Sequence, residues 1–195
     1  MNAPAIEAAV TAGLGAPVRV AVVTGAGDAA DDHVLGRRAL AQALAAAGRD
    51  PDEITAWPCR FASVSHSRGV AIAVALPRGE RARGLGVDLE LDRPMRPGLA
   101  GVFCDARERA WLDGVPAAER DAVVLQLWTA KEALYKADAA QGDAIVAEYG
   151  VDVPALSRGG RGAARSTRLT SLRIGGASLS VALQPEEEEH VATTW

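Results

Sequence analysis

Gly86-Val87-Asp88-Leu89-Glu90 is the stretch on which the reading of this chain turns. It lies in an extended run, Leu85 to Leu91, where alternation sends Val87 and Leu89 to one face and both carboxylates to the other. Further along, Trp128-Thr129-Ala130-Lys131-Glu132-Ala133-Leu134-Tyr135-Lys136 has helical spacing. Glu132 and Lys136 are four apart there, so they share a helix face one turn apart. Three carboxylates and an ammonium, brought together by folding, suit a divalent cation bound to a pyrophosphate. Hard cations take oxygen ligands and share their sites with phosphate and water.

Around these two stretches the pattern predicts alternating strands and helices. Val18 to Val23 reads as a strand and Thr24 to Asp32 as a turn. From about Asp32, Leu40, Ala43, Leu44 and Ala47 keep helical spacing, with Asp31 or Asp32 as cap and Gly48 as stop. Val70 to Leu76 alternates large residues with alanines, the pattern of a strand buried on both sides and pressed by a helix on its alanine face. The turn from Pro77 to Gly84 then leads into the Asp88 strand, so the two strands are expected to form a hairpin. A helix is expected from Ala117 to Ala139, burying Val123, Leu127, Ala130, Leu134 and Ala137, with Trp128 in the core. Gly69 to Leu76 echoes Gly176 to Leu183, each after a serine-containing strand, which suggests two similar halves, 1–100 and 101–195, with the site where they meet.

Composition narrows the function classes. The chain has 195 residues, 49% hydrophobic and 24% charged, an ordinary globular balance. A net charge of −4 argues against a nucleic-acid binder. Cys59 and Cys104 are too few and too far apart for a zinc cluster or a disulfide framework, so reduced thiols in a cytoplasmic protein are expected. No apolar run is long enough to span a bilayer, and the N-terminus lacks a signal-peptide pattern. Arg158, Arg161, Arg165, Arg168 and Arg173 form a basic stretch, and Glu186 to Glu189 an acidic one. Both read as surface, with the basic stretch a secondary candidate for docking an acidic partner.

Four motifs in order carry a resemblance: Ser65-His66-Ser67, then Gly86 to Glu90, then Phe103 to Glu108, then Trp128 to Lys136. They resemble the ordered motifs of the surfactin-type 4′-phosphopantetheinyl transferases. The resemblance implies an α/β (α+β) fold of two pseudo-twofold halves, each a small antiparallel sheet packed with helices, with coenzyme A in the cleft between them. It also implies transfer of 4′-phosphopantetheine from coenzyme A to a serine of an acyl or peptidyl carrier protein, releasing 3′,5′-ADP. By position, Asp88, Glu90 and Glu132 would hold Mg2+. Glu132 would take the serine proton, Lys136 would steady the phosphates, and Ser65 and His66 would contact a phosphate of coenzyme A. The chain departs from the family pattern before the serine-histidine motif, where Ala56 to Phe61 stands in place of a Gly-Lys-Pro element. Arg37 and Arg38, at the start of the first helix, are candidates for the missing phosphate grip, and Arg60 another. Glu108 is expected to match a family position or pair with Arg107 or Arg109, while His33 and His190 have no evident partner. Two halves that supply their own interface point to a monomer.

Two other readings stand beside this one. A non-catalytic protein of the same fold could hold coenzyme A or a carrier domain. Alternatively, Val22-Val23-Thr24-Gly25-Ala26-Gly27-Asp28-Ala29-Ala30 satisfies the dinucleotide-binding turn of an NAD(P)-dependent oxidoreductase. Against it, Asp28, Asp31 and Asp32 would crowd a pyrophosphate with negative charge at a helix N-terminus.

Overall fold

A computed structural model describes residues 1–25, 29–157, 161–164 and 167–186. The elements run α1 (Ala3–Leu14), β1 (Arg19–Thr24), α2 (Ala29–Ala46), β2 (Ala62–Ser67), β3 (Val70–Ala75), β4 (Gly84–Leu91), α3 (Ala100–Phe103), α4 (Ala106–Asp113) and α5 (Ala117–Ala137), then α6 (Val153–Ser157), β5 (Arg161–Ala164), β6 (Thr167–Arg173) and β7 (Ala177–Gln184). The strands form two antiparallel sheets, a three-stranded one ordered β1-β3-β2 and a four-stranded one ordered β4-β7-β6-β5. This is the mixed fold of two small helix-packed sheets that the motifs imply. No helix among the described residues is long and apolar enough to cross a membrane.

The echo between residues 69–76 and 176–183 falls on the two central strands, β3 and β7. Each forms a hairpin with the strand before it, and each pairs on its far side with the strand that opened the unit, β1 or β4. The pairing of these three strands is therefore repeated, although the second unit places several helices after its opening strand and adds β5 at the edge of its sheet. β3 is buried throughout its interior, as its pattern predicts. Gly36 of α2 lies against Val64 and His66, whose partners Ala73 and Ala71 point to the same face, so α2 does cover the alanine side.

The expected hairpin between β3 and the Asp88 strand does not form. β3 already pairs on both edges, with β1 and β2, so it has no free edge for β4. Instead β4 pairs along its length with β7, Gly84 opposite Gln184 through Leu91 opposite Ala177. A second correction concerns α2. It begins at Ala29, so Asp31 and Asp32 lie inside its first turn rather than at its cap, and Asp32 Oδ1 accepts the amide of Gly69 at 2.8 Å. Arg37 and Arg38 are thus mid-helix. The first helix is α1, which the sequence reading missed. Its Asn2 cap, its Gly15 stop in left-handed conformation and its buried Ile6, Val10 and Leu14 were all readable signals.

The core has two parts that share the second sheet. One joins α1, α2 and the first sheet to Val87, Leu89, Leu179 and Val181. The other lies beyond α5 and gathers Phe103, Leu112, Leu127, Leu134, Tyr149 and Leu156. Because α5 is covered on both sides, it buries far more than the expected stripe. Val124, Gln126, Thr129, Lys131 and Ala133 are buried too, while Val123 is only partly so.

The dinucleotide turn cannot be placed in full, since residues 26–28 lie outside the described part. Its surroundings argue against it: every adjacent strand pair among the described residues is antiparallel, whereas such a turn opens a unit of neighbouring parallel strands. Arg158, Arg165, Glu187 to Glu189 and His190 also lie outside the described residues.

Candidate active site at the seam of the two sheets

The site depends on two glycines. Gly84 and Gly86 share the β4 face that carries Asp88 and Glu90, and α5 lies directly on that face. A Cβ added to Gly86 would stand 2.0 Å from the Ala133 carbonyl oxygen, and one at Gly84 would stand 1.8 Å from that of Ala137. No side chain separates strand from helix, so α5 approaches closely enough for Lys136 to reach β4. These glycines were missed as site residues. Their spacing, two and four positions before Asp88 on one strand face, was the available signal.

Lys136 donates to Asp88 Oδ1 at 2.7 Å and to the Val87 carbonyl oxygen at 3.2 Å. The helix ion pair Glu132–Lys136, the plainest reading of that spacing, is not made among the described residues. Asp88 is buried, and Oδ1 also accepts the Ser65 hydroxyl at 2.9 Å. Its other oxygen, Oδ2, is buried with no hydrogen-bond partner. Burial raises the proton affinity of Asp88 above the ordinary aspartate range, and the Lys136 charge and the hydrogen bonds only partly oppose this.

Glu90 accepts Ser67 Oγ at 2.9 Å and Arg93 at 3.3 Å. Glu132 is half-buried and makes no hydrogen bond or ion pair among the described residues. Its proton affinity is raised by burial first, then by the negative charges of Asp88 and Glu90, with Lys136 opposing. The three carboxylates therefore share one electrostatic neighbourhood. No group of three or more His, Cys, Asp or Glu side chains stands ready-made as a metal site among the described residues. The donors nonetheless suit a hard divalent cation: all are oxygens, and one buried oxygen has no partner among the described residues.

The structure divides the serine-histidine motif between two faces. Ser65 and Ser67 turn towards β4, while His66 turns towards α2, where Nδ1 lies 3.8 Å from Asp32 Oδ2. His33, left without a partner by the sequence reading, meets His66 edge-on at 5.0 Å between ring centres. Ser65 and His66 are thus not brought together on one face. Arg37 and Arg38 are exposed on α2. A cavity of about 350 Å³ opens beside Lys136, between Trp57, Pro58 and Ser63 on one side and Leu85, Tyr135 and Gln141 on the other. Arg60 instead lines a separate cavity of about 370 Å³ with Arg49 and Arg81.

Glu108 pairs with neither Arg107 nor Arg109. Its partner is Lys131, at 2.9 Å, with the two side chains 2% and 0% exposed. This lysine also belongs to the α5 motif and was not singled out from the sequence, because helical spacing alone does not show that α4 covers its face. Arg109 donates instead to the Cys104 carbonyl oxygen. Trp128, expected in the core, is only partly buried and packs edge-on against the core residue Phe103, 5.1 Å between ring centres.

Comparison with known proteins bears on this seam. No curated protein matches the chain. Residues 84–174, from the first residue of β4 to just beyond β6, match the family model of the 4′-phosphopantetheinyl transferase superfamily (ACPS). That stretch holds Asp88, Glu90, Glu132 and Lys136, and its likeness to a superfamily of transferases supports phosphopantetheine transfer in general.

Proposed function

We propose that the chain is a surfactin-type 4′-phosphopantetheinyl transferase. It moves phosphopantetheine from coenzyme A onto a serine of an acyl or peptidyl carrier protein and releases 3′,5′-ADP. The observation that carries this reading is the contact of Lys136 with a buried Asp88 whose second oxygen is unpartnered among the described residues, beside a Glu132 that likewise makes no hydrogen bond or ion pair among them. Structural ion pairs in a protein interior are normally satisfied on every atom. A shortfall of this kind, in the stretch matched to the superfamily, marks groups set aside for a ligand.

In this reading Asp88, Glu90 and Glu132 would hold Mg2+, which when bound supplies charge neutralisation on the pyrophosphate. Phosphoryl transfer asks for positioning and charge compensation more than for covalent help from protein. Lys136, held by Asp88 and the Val87 carbonyl, places a positive charge on the wall of the 350 Å³ cavity. Glu132 accepts the proton of the attacking serine, a role favoured by its raised proton affinity. The serine oxygen bonds to the β-phosphorus as the bond from that phosphorus to the bridging oxygen breaks, leaving 3′,5′-ADP. His66, beside the start of α2, contributes to binding a phosphate of coenzyme A, and exposed Arg37 and Arg38 add positive charge on the same helix. The first sheet on one side and β4 with α5 on the other contribute opposite walls, so a monomer suffices.

Intact mass of several carrier proteins, incubated with the chain, coenzyme A and Mg2+, tests the reading. A gain of one phosphopantetheine on at least one carrier is expected. No gain on any fatty acid, polyketide or peptide carrier would leave a protein that binds coenzyme A or a carrier without turnover.

A further inference from the structure

β4 meets the first sheet along an edge that no strand covers. Its other edge pairs with β7, so the amides of Val87, Leu89 and Leu91 point outward and need acceptors. Three hydroxyls on one face of β2 supply them. Ser63 Oγ accepts Val87 N at 3.0 Å, Ser65 Oγ accepts Leu89 N at 3.2 Å, and Ser67 Oγ accepts Leu91 N at 3.4 Å. The sheets are thus joined by side chains at every second residue.

Two of these hydroxyls do more. A serine hydroxyl has one proton to give, and Ser65 gives it to Asp88 Oδ1 and Ser67 to Glu90 Oε2, both at 2.9 Å. Each relay therefore runs from a β4 amide through a serine to the carboxylate next to that amide. Both serines are buried, Ser65 at 7% and Ser67 at 6% exposure.

We propose that Ser65 and Ser67 are positioning residues that orient Asp88 and Glu90 for the divalent ion, and that neither serves as a phosphate ligand. This inference rests on the transferase reading and changes the role that the resemblance assigns to Ser65. A hydroxyl bound on one side by a backbone amide and on the other by a carboxylate has its proton committed within the protein. It fixes one carboxylate oxygen of each acid in place; the other oxygen of Asp88 is buried with no partner among the described residues, and that of Glu90 accepts Arg93 at 3.3 Å. Loss of such supporting hydrogen bonds lowers metal affinity by about 10–100-fold.

The test separates metal from coenzyme A. Mn2+ binding to the ligand-free full chain is read by electron paramagnetic resonance, and coenzyme A binding in chelator by calorimetry. Ser65→Ala and Ser67→Ala are each expected to weaken Mn2+ binding by about 10–100-fold while coenzyme A binding in chelator holds. Ser67→Thr, which keeps the hydroxyl, is expected to return Mn2+ affinity towards that of the parent. Unchanged Mn2+ affinity in both alanine variants overturns the proposal, as does loss of coenzyme A binding in chelator. If Ser65→Ala does not fold, the pair Ser67→Ala and Ser67→Thr decides alone. A parent chain that binds no Mn2+ and modifies no carrier would instead remove the transferase reading itself.

Discussion

Two lysines on α5, five positions apart, each meet a carboxylate, and the two pairs serve opposite ends. Lys131 and Glu108 are almost fully enclosed, and every oxygen of Glu108 is used. Oε2 takes Lys131 at 2.9 Å and the Asp105 amide at 2.8 Å, while Oε1 takes the Val151 amide at 3.0 Å. This pair ties α4, α5 and the segment before α6 together. Lys136 and Asp88 are 29% and 8% exposed, and one Asp88 oxygen has nothing. Desolvating charge is costly unless geometry and hydrogen bonds offset it, so the first pair is a closed clamp and the second an open one. Complete satisfaction marks structure in this helix, and a missing partner marks the site.

Four measurements would break or sharpen that contrast. The largest effect is expected from Glu132→Gln, which removes the proton acceptor. Carrier modification should fall by about 10²–10⁴-fold with the fold kept, as read by intact mass and circular dichroism. Near-normal turnover would dissolve the distinction between the open and closed pairs.

Lys131→Met comes next and should act on stability. It leaves Glu108 buried without its cation, at a cost of about 3–5 kcal/mol, measured by urea unfolding. Adding Glu108→Leu to it should recover much of that loss, since an enclosed pair can be replaced by packed apolar groups. A double variant as weak as the single one would show that the clamp does more than neutralise charge.

Gly86→Ala should affect both pairs, because a methyl 2.0 Å from the Ala133 carbonyl oxygen forces α5 off the strand. A loss of about 1–3 kcal/mol is expected, together with slower transfer as Lys136 withdraws from Asp88. Unchanged stability and turnover would mean that the close seat of helix on strand is dispensable.

The smallest effect is a pH dependence. Glu132 holds its proton more tightly in the fold than in the unfolded chain, through burial and then the nearby Asp88 charge. Its contribution to stability is therefore fully present below the ordinary value of 4.5 and lost as pH rises through the raised folded value. In chelator, Glu132→Gln should melt slightly higher than the parent at neutral pH, and the gap should close on acidification. A parent that melts higher at neutral pH would reverse the assigned sign.

The periodic elements of this fold were legible, and their long-range partners were not. β4, α5 and β3 follow from alternation and helical spacing within a short window. The partner of β4 did not, because a hairpin is the default for neighbouring strands and only the occupied edges of β3 exclude it. Asp88, Glu90, Glu132 and Lys136 could be picked out by residue type and order. What each touches could not: Lys136 prefers Asp88 to Glu132, and Glu108 passes over two adjacent arginines for Lys131. Those choices are set by which helix covers which face, a property of the packed layers rather than of any one segment.

The repeated strand pairing of the two sheets has one more consequence. Overlaying β3 on β7 puts Ala73 on Ser180 and Ala71 on Ser178, and so brings Ala21 and Val23 of β1 to the places of Asp88 and Glu90. The same skeleton is built twice, and at those two places it is greasy in one copy and charged in the other. Each unit supplies what its counterpart lacks at these places: β2 lends the hydroxyls, β4 lends the acids, and a single working crevice emerges from a repeated plan.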